Sequence, residues 1–293
     1  MNIGEKIKKL RTAKLMTQAD LVGTEITRNM LSLIENGSAN PSLETVCYIA
    51  SRLNVSPGFL ISDGEDEQVY LKHHEIVGIK KAFMNEDYRI CRDMCLTSES
   101  LDDDEIQMIL CECNLAIAIE EFSNGRLHES CELFDEAIEC CAKTLYRTEY
   151  SLAAAAVYFR YIRRISATIS SNIIDENEVN VHPALTDEFC RYTIMLERID
   201  REEQIEEDEI LTVGKGESPY VLHLKALRYM KQSLFKEAYD CLHAILLCEV
   251  PIPQPMLYFV FCDLEVCCKE IEDFRGAYEY SIDKIELLQK LLS

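Results

Sequence analysis

The chain has 293 residues, a net charge of −22, and only 10 glycines and 7 prolines. That length exceeds a typical domain of about 100–200 residues and suits one small and one large unit, and so few helix breakers favour an all-α fold over strands and turns. No run approaches the roughly 18–20 apolar residues of a membrane span, and Met1-Asn2-Ile3-Gly4-Glu5-Lys6 leads into charge, so a cytoplasmic protein with no membrane partner is expected.

Ile3, Ile7 and Leu10 fall at helical spacing, so the first predicted helix buries one stripe and turns Lys6, Lys8 and Lys9 outward. Thr17 starts the second helix, with Asp20 three residues on as a short form of the capping-box acid and Leu21 opening the apolar face. Gly23 and Thr24 close it early. Thr27 caps a third helix in which Leu31 and Ile34 point inward, Gly37 supplies the C-terminal stop, and Arg28, Asn29 and Ser32 stay exposed. Pro41-Ser42 leads into a fourth helix (Leu43, Val46, Ile49, Ala50, Leu53), and Ser56-Pro57 into a fifth (Phe59, Leu60, Ile61). Residues 1–62 thus make one small five-helix unit. Polar side chains at the start of its third helix suit major-groove entry, where Arg can pair with guanine and Asn with adenine through two hydrogen bonds each.

The charge supports this division. Residues 1–62 carry seven basic side chains against five acids, a balance of +2, which leaves −24 on residues 63–293. DNA affinity rests mainly on phosphate neutralisation, so this asymmetry suits a DNA-contacting head on an acidic, self-solubilising body.

Residues 3–62 resemble the phage-repressor helix-turn-helix family, of Cro or xenobiotic-response-element type. The resemblance is carried by Ile7-Lys8-Lys9-Leu10-Arg11, Thr17-Gln18-Ala19-Asp20-Leu21, Ile34-Glu35-Asn36-Gly37, Pro41-Ser42-Leu43 and Leu53-Asn54-Val55-Ser56. It implies a lambda-repressor-like DNA-binding domain in which Gln18 caps the second helix against a phosphate. Arg28, Asn29 and Ser32 would face bases, with Thr27 beside them on the DNA side. Asn36, Ser38 and Asn40 would hold the opposite backbone, and Arg11 and Glu35 would form an internal ion pair. The chain departs from the family in a shorter turn, Gly23-Thr24-Glu25-Ile26, in the anion Glu25, and in Leu33, which stands where relatives often carry a polar base-facing residue. The bland alternative is a five-helix interaction domain with no DNA role.

Asp63-Gly64-Glu65-Asp66-Glu67 is a polar break, expected as a linker over 63–67, and residues 68–293 are expected to form a helical repeat domain. Ala118, Ser130, Phe134 and Ala137 share their offsets of 12, 16 and 19 residues with Ala226, Ala238, Leu242 and Ile245. A third stretch, Phe261–Tyr280, holds Asp273-Phe274-Arg275-Gly276-Ala277, comparable with Ser233-Leu234-Phe235-Lys236-Glu237-Ala238. These pairs resemble tetratricopeptide repeats, with further pairs expected over 68–98 and 149–199 and loops over 171–186 and 200–218. Stacked helix pairs form an α-solenoid whose concave face suits peptides and helices.

Arg160, Arg163 and Arg164, with Tyr158 and Tyr161 nearby, make a cationic cluster able to grip a carboxylate or a peptide backbone, the alternative being pairs with neighbouring Glu and Asp. Asn114, Lys225, Arg228 and Tyr229 are further inner-face candidates for ligand binding. Head plus repeats resembles the peptide-pheromone-responsive regulators of Gram-positive bacteria, which implies a homodimer, a DNA operator, a short peptide effector and a role in quorum sensing. The runner-up function is an interaction scaffold or antitoxin-like partner whose repeats hold a second protein.

No enzyme is expected. Gly214-Lys215-Gly216 lacks the setting and ending of a phosphate-binding loop, and no zinc-protease or nucleophile-elbow pattern occurs. The fourteen cysteines include no Cys-x-x-Cys; Cys111-x-Cys113, Cys140-Cys141, Cys267-Cys268 and Cys91-x-x-x-Cys95 are the close pairs, and no His completes a zinc set with them. They are expected as reduced core or helix-surface thiols, with no metal or cofactor.

Overall fold

A computed structural model describes residues 2–62, 65–169, 171–175, 178–180, 182–183 and 185–293, and among these all regular structure is helical. The chain forms two compact units, residues 1–87 with 93–102, and residues 88–92 with 103–293.

The N-terminal unit begins with α1 (Ile3–Ala13), α2 (Gln18–Val22), α3 (Arg28–Glu35), α4 (Leu43–Leu53) and α5 (Pro57–Ile61). Each starts at a polar cap: Asn2, Thr17, Thr27, Ser42 and Ser56 all accept a hydrogen bond from an orphan amide of the first turn. Ile7, Leu21, Leu31, Ile34, Val46, Ile49, Ala50, Leu53 and Leu60 close one core. Helix α1 lies unusually close to α3: a Cβ placed on Gly4 would sit 2.0 Å from the Ile34 carbonyl oxygen.

Lys6 corrects the expectation of an outward cation. It is 1% exposed, and its ammonium donates to the backbone carbonyls of Phe59 (3.1 Å) and Ser62, so a side chain of α1 satisfies the C-terminal end of α5. Its position, three residues after Ile3 and four before Leu10, lies on the buried stripe.

Asp63 and Gly64 of the expected break lie outside the described residues, and Glu65, Asp66 and Glu67 already belong to α6 (Glu65–Met84). Gly78 of α6 faces Met94 of α7 (Tyr88–Thr97), and Ser98 bonds Glu75.

The C-terminal unit runs through α8 (Asp104–Ser123), α9 (Leu127–Lys143), α10 (Glu149–Ile165), α11 (Glu188–Asp200), α12 (Glu207–Leu211), α13 (Pro219–Lys231), α14 (Phe235–Leu246), α15 (Gln254–Glu270) and α16 (Phe274–Leu291). Helix α12 interrupts the stretch 200–218 expected as loop, its acidic first turn built from Glu207, Asp208 and Glu209. Helices pack as antiparallel pairs, α8 on α9, α13 on α14 and α15 on α16. Ala118, Ser130, Phe134 and Ala137 in the first pair, and Ala226, Ala238, Leu242 and Ile245 in the second, are all buried. The Ser130 hydroxyl donates to the Ala118 carbonyl at 2.9 Å, a bond that only a small residue opposite allows.

The third pair carries different chemistry at the same offsets. Glu265 stands where the others have alanine, and Lys284 where they have Ala137 and Ile245; the two form an ion pair that Lys269 completes at 2.5 Å. The solenoid also turns back on itself. Gly125, at φ +81° in the turn after α8, packs so closely on Gln254 and Leu291 that a Cβ would lie 2.6 Å from the Gln254 amide oxygen, and α8 packs directly on α15.

Because the small-residue positions are full, Ala226→Leu is expected to destabilise the protein by about 1–3 kcal/mol through overpacking. Urea unfolding followed by far-ultraviolet circular dichroism checks this; an unmoved midpoint would mean the α13–α14 contact is looser than described.

Candidate nucleic-acid interface

The site is assembled around one carboxylate. Glu35, buried at the end of α3, accepts two bonds from Arg11 of α1, Nε–Oε1 at 2.7 Å and NH2–Oε2 at 3.1 Å, and a third from the Gln18 amide of α2 at 2.8 Å. Arg11 also donates to the Met16 carbonyl at 2.8 Å, ahead of α2. One anion therefore locks three helices together. Burial alone would raise the Glu35 pKa, but bonds from Arg11 and Gln18 and the charges of Arg11 and Lys8 outweigh it and hold the carboxyl below its usual range.

The turn between α2 and α3 is pinned from α4. Tyr48 donates its hydroxyl to the Val22 carbonyl at 3.0 Å, and Arg52 donates to the Asp20 carbonyl. Thr17 and Asp20 form a reciprocal capping box, and its bonds from the Thr17 hydroxyl and amide hold the Asp20 carboxyl below its ordinary pKa. Neither Tyr48 nor Arg52 stands out in the sequence, because each acts on backbone carbonyls far from it along the chain.

With its inner face fixed, α3 has one face left. Arg28 and Asn29 are exposed in its first turn, Ser32 is half-buried one turn on, and Thr27 caps the helix with its hydroxyl on the Met30 amide at 3.2 Å. Arg28 Nε reaches the Gln18 amide oxygen at 3.5 Å, so Gln18 links the base-facing row to the Glu35 network. Met30 and Leu33 add exposed apolar surface to the same helix. Beyond the turn at Gly37, Asn36, Ser38 and Asn40 are exposed, with the Ser38 amide bonded to the Leu33 carbonyl at 2.8 Å. Lys8, Lys9 and Lys14 are exposed as well.

The helix-turn-helix family model matches residues 7–60, the segment that carries every one of these groups except the lysine-capped end of α5. The head is a helix-turn-helix domain. No curated protein sequence matches the chain.

Among solved structures, PlcR from Bacillus thuringiensis in complex with the peptide PapR7 and DNA aligns over 99% of this chain and 96% of its own, at 13% identity and a TM-score of 0.24. ComR from S. thermophilus, in complex with DNA and its signalling peptide ComS, aligns over 98% of this chain and 99% of its own, at 18% identity and a TM-score of 0.24. The PrgX/iCF10 complex aligns over 99% and 94%, at 12% identity and a TM-score of 0.20. Superpositions this loose leave the rest of the chain beyond the helix-turn-helix domain to its own geometry.

There the candidate ligand residues separate. Tyr158 and Tyr161 are core residues, not groups on an open face: Tyr158 stacks on Phe189 at 4.6 Å, and Tyr161 meets Phe122, Phe189 and Phe259 edge-on. Their aromatic area is worth more buried than any polar grip they could offer. Asn114 is likewise buried and accepts from Arg92 Nε at 2.7 Å. Arg160 pairs with Glu197 at 2.8 Å, Arg164 with Asp200, and Arg228 with Glu207 at 3.1 Å, while Arg163 is exposed and Lys225 and Tyr229 are half-buried. Arg160 also borders a cavity of about 290 Å³ lined by Val179, Asn180, Ile194, Glu197, Arg198 and Arg201. Arg198 and Arg201 lay outside the sequence-based set; their separation from Arg160 along the chain concealed the shared cavity.

No described helix is long and apolar enough to cross a membrane.

Proposed function

We propose that the protein is a homodimeric, sequence-specific transcription regulator that works in the cytoplasm, reads a double-stranded DNA operator through α3, and binds a short effector peptide with its C-terminal unit. The observation that carries this is the row Arg28, Asn29 and Ser32, exposed at the start of a helix whose opposite face is fixed by Glu35, within a matched helix-turn-helix domain. Helices of this kind present their N-terminal residues to base edges. Gln18, Thr27, Asn36, Ser38 and Asn40 are the phosphate and backbone contacts.

Dimerisation is supported by α16, whose Phe274, Tyr278, Ile282 and Ile285 form an exposed apolar face. Peptide binding is supported by the cavity at Arg160, Arg198 and Arg201, where a ligand carboxylate would exchange places with Glu197. Nothing in this mechanism calls for catalysis or a cofactor.

Arg28→Ala, and separately Asn29→Ala, are each expected to weaken operator binding by about 1–3 kcal/mol and to relax preference at one base pair. Footprinting and quantitative gel shifts against an operator selected from random DNA test this, with two protected half-sites about 34 Å apart expected of a dimer. Unchanged affinity and preference in both variants would remove α3 as the reading helix.

A further inference from the structure

We propose that Cys111 and Cys141 form a peroxide-reactive dithiol, in which Cys141 is oxidised by a hydroperoxide and Cys111 resolves it into an intramolecular disulfide joining α8 to α9. All fourteen cysteines are free thiols, and the fold brings this pair together from two helices. The two sulfurs lie 3.5 Å apart across the facing helices of the first repeat pair, in hydrogen-bond contact. A disulfide needs about 2.05 Å, so closure asks for a shift of about 1.5 Å shared between two side chains.

The pair is asymmetric in the way the reaction needs. Cys141 is half-exposed near the C-terminal end of α9, beside the loop that leads into α10, whereas Cys111 is fully buried on α8. A small oxidant meets Cys141 first, and the disulfide partner waits behind it. The thiolate is the nucleophile in such chemistry. Bonds from the Cys111 thiol and the Thr148 hydroxyl stabilise the Cys141 thiolate and lower its pKa, while the same bond and burial push Cys111 up. Cys140, adjacent in the chain, is pushed up to about 11, mainly by burial, and stays a thiol. The more accessible of the two sulfurs is thus the one whose thiolate its surroundings favour.

The steps balance. The Cys141 thiolate attacks the nearer oxygen of ROOH, forming an S–O bond, breaking the O–O bond and leaving Cys141 as sulfenic acid; the peroxide gains two electrons and departs as RO⁻, which takes up a proton as ROH. Cys111 then loses its proton and attacks the Cys141 sulfur, forming the S–S bond and expelling hydroxide, which leaves as water. The sum is two thiols and one hydroperoxide giving one disulfide, one alcohol and one water. The new bond would tie the end of the hairpin where Thr144 already bonds the Asp104 carboxylate at 2.8 Å, so it staples an existing contact without demanding a new one.

The test treats the full chain with one equivalent of hydrogen peroxide, blocks remaining thiols by alkylation, and maps the digest by mass spectrometry. The expected product is a cross-linked peptide pair containing Cys111 and Cys141. In Cys111→Ser, dimedone should trap a sulfenic acid at Cys141, and in Cys141→Ser the buried Cys111 should stay reduced. In the untreated wild-type chain, Cys141 should be alkylated faster than Cys140, since it is the more exposed of the two and its thiolate the better stabilised. Oxidation that falls on exposed Cys47 without a Cys111–Cys141 link, or equal alkylation of Cys140 and Cys141, overturns the proposal; both readings come from the wild-type chain and need no variant to fold.

Discussion

Gly4→Ala is expected to unfold the head at a markedly lower temperature and to abolish operator binding with it. A Cβ at this position would sit 2.0 Å from the Ile34 carbonyl oxygen and 3.0 Å from its carbonyl carbon, and both obstacles are backbone atoms of α3 that cannot rotate aside as a side chain could. Helix α1 must therefore lift away from α3, and in doing so it loosens Ile7 from the core and draws Arg11 off Glu35. Overpacking of a tight interior usually costs about 1–3 kcal/mol, and contact with backbone places this case at about 3 kcal/mol. For a domain of this size each kcal/mol lowers Tm by roughly 4–8 °C, so a shift beyond about 10 °C is expected. Differential scanning calorimetry of the full chain, with the transition of the C-terminal unit as internal reference, measures it. A variant that melts like the wild type would mean that α1 and α3 do not approach this closely.

Glu35→Ala carries the second large effect. It leaves the Arg11 guanidinium largely buried with its anion gone and deprives Gln18 of its acceptor, and breaking one side of a buried ion pair costs about 3–5 kcal/mol. Against a total of roughly 5–15 kcal/mol for a whole domain, that is most of the margin of a small head. Glu35→Gln keeps the volume and part of the hydrogen bonding, so its loss should be smaller. The pair also sets a pH dependence. Since the folded state lowers the Glu35 pKa, its contribution is complete above the ordinary glutamate value of about 4.3 and disappears as pH falls through the lowered folded value. Urea midpoints of the head recorded from neutral pH down to acid should decline over that window in the wild type, with this component missing in Glu35→Gln. An identical decline in both would assign the acid sensitivity elsewhere.

The helix boundaries of the head were legible because Thr17, Thr27, Ser42 and Ser56 are strong local signals that tertiary packing did not overrule. The first two repeat pairs were legible for a related reason: small residues recur at fixed offsets wherever two helices touch. The third pair shows where such matching stops. Glu265 and Lys284 do by charge what alanine and isoleucine do by size, and pattern alone does not equate an ion pair with a methyl group. Lys6 was misjudged because lysine on an apolar stripe suggests an edge, whereas here the ammonium serves the open carbonyls of α5. Tyr158 and Tyr161 were misplaced because the residues that enclose them, Phe122, Phe189 and Phe259, come from other helices brought together only by the fold.

The contact of Gly125 with Gln254 and Leu291 bears on how the C-terminal unit comes apart. In an open array of repeats each pair touches only its neighbours, so the ends fray first and stability grows by increments. Here the turn of the first pair rests on the last two helices, and the array has been closed into a ring. A ring has no weakest end. Strain introduced at α16 is felt at α8 across the closure as well as through the chain between them, so a molecule bound at either place works against the whole circle at once.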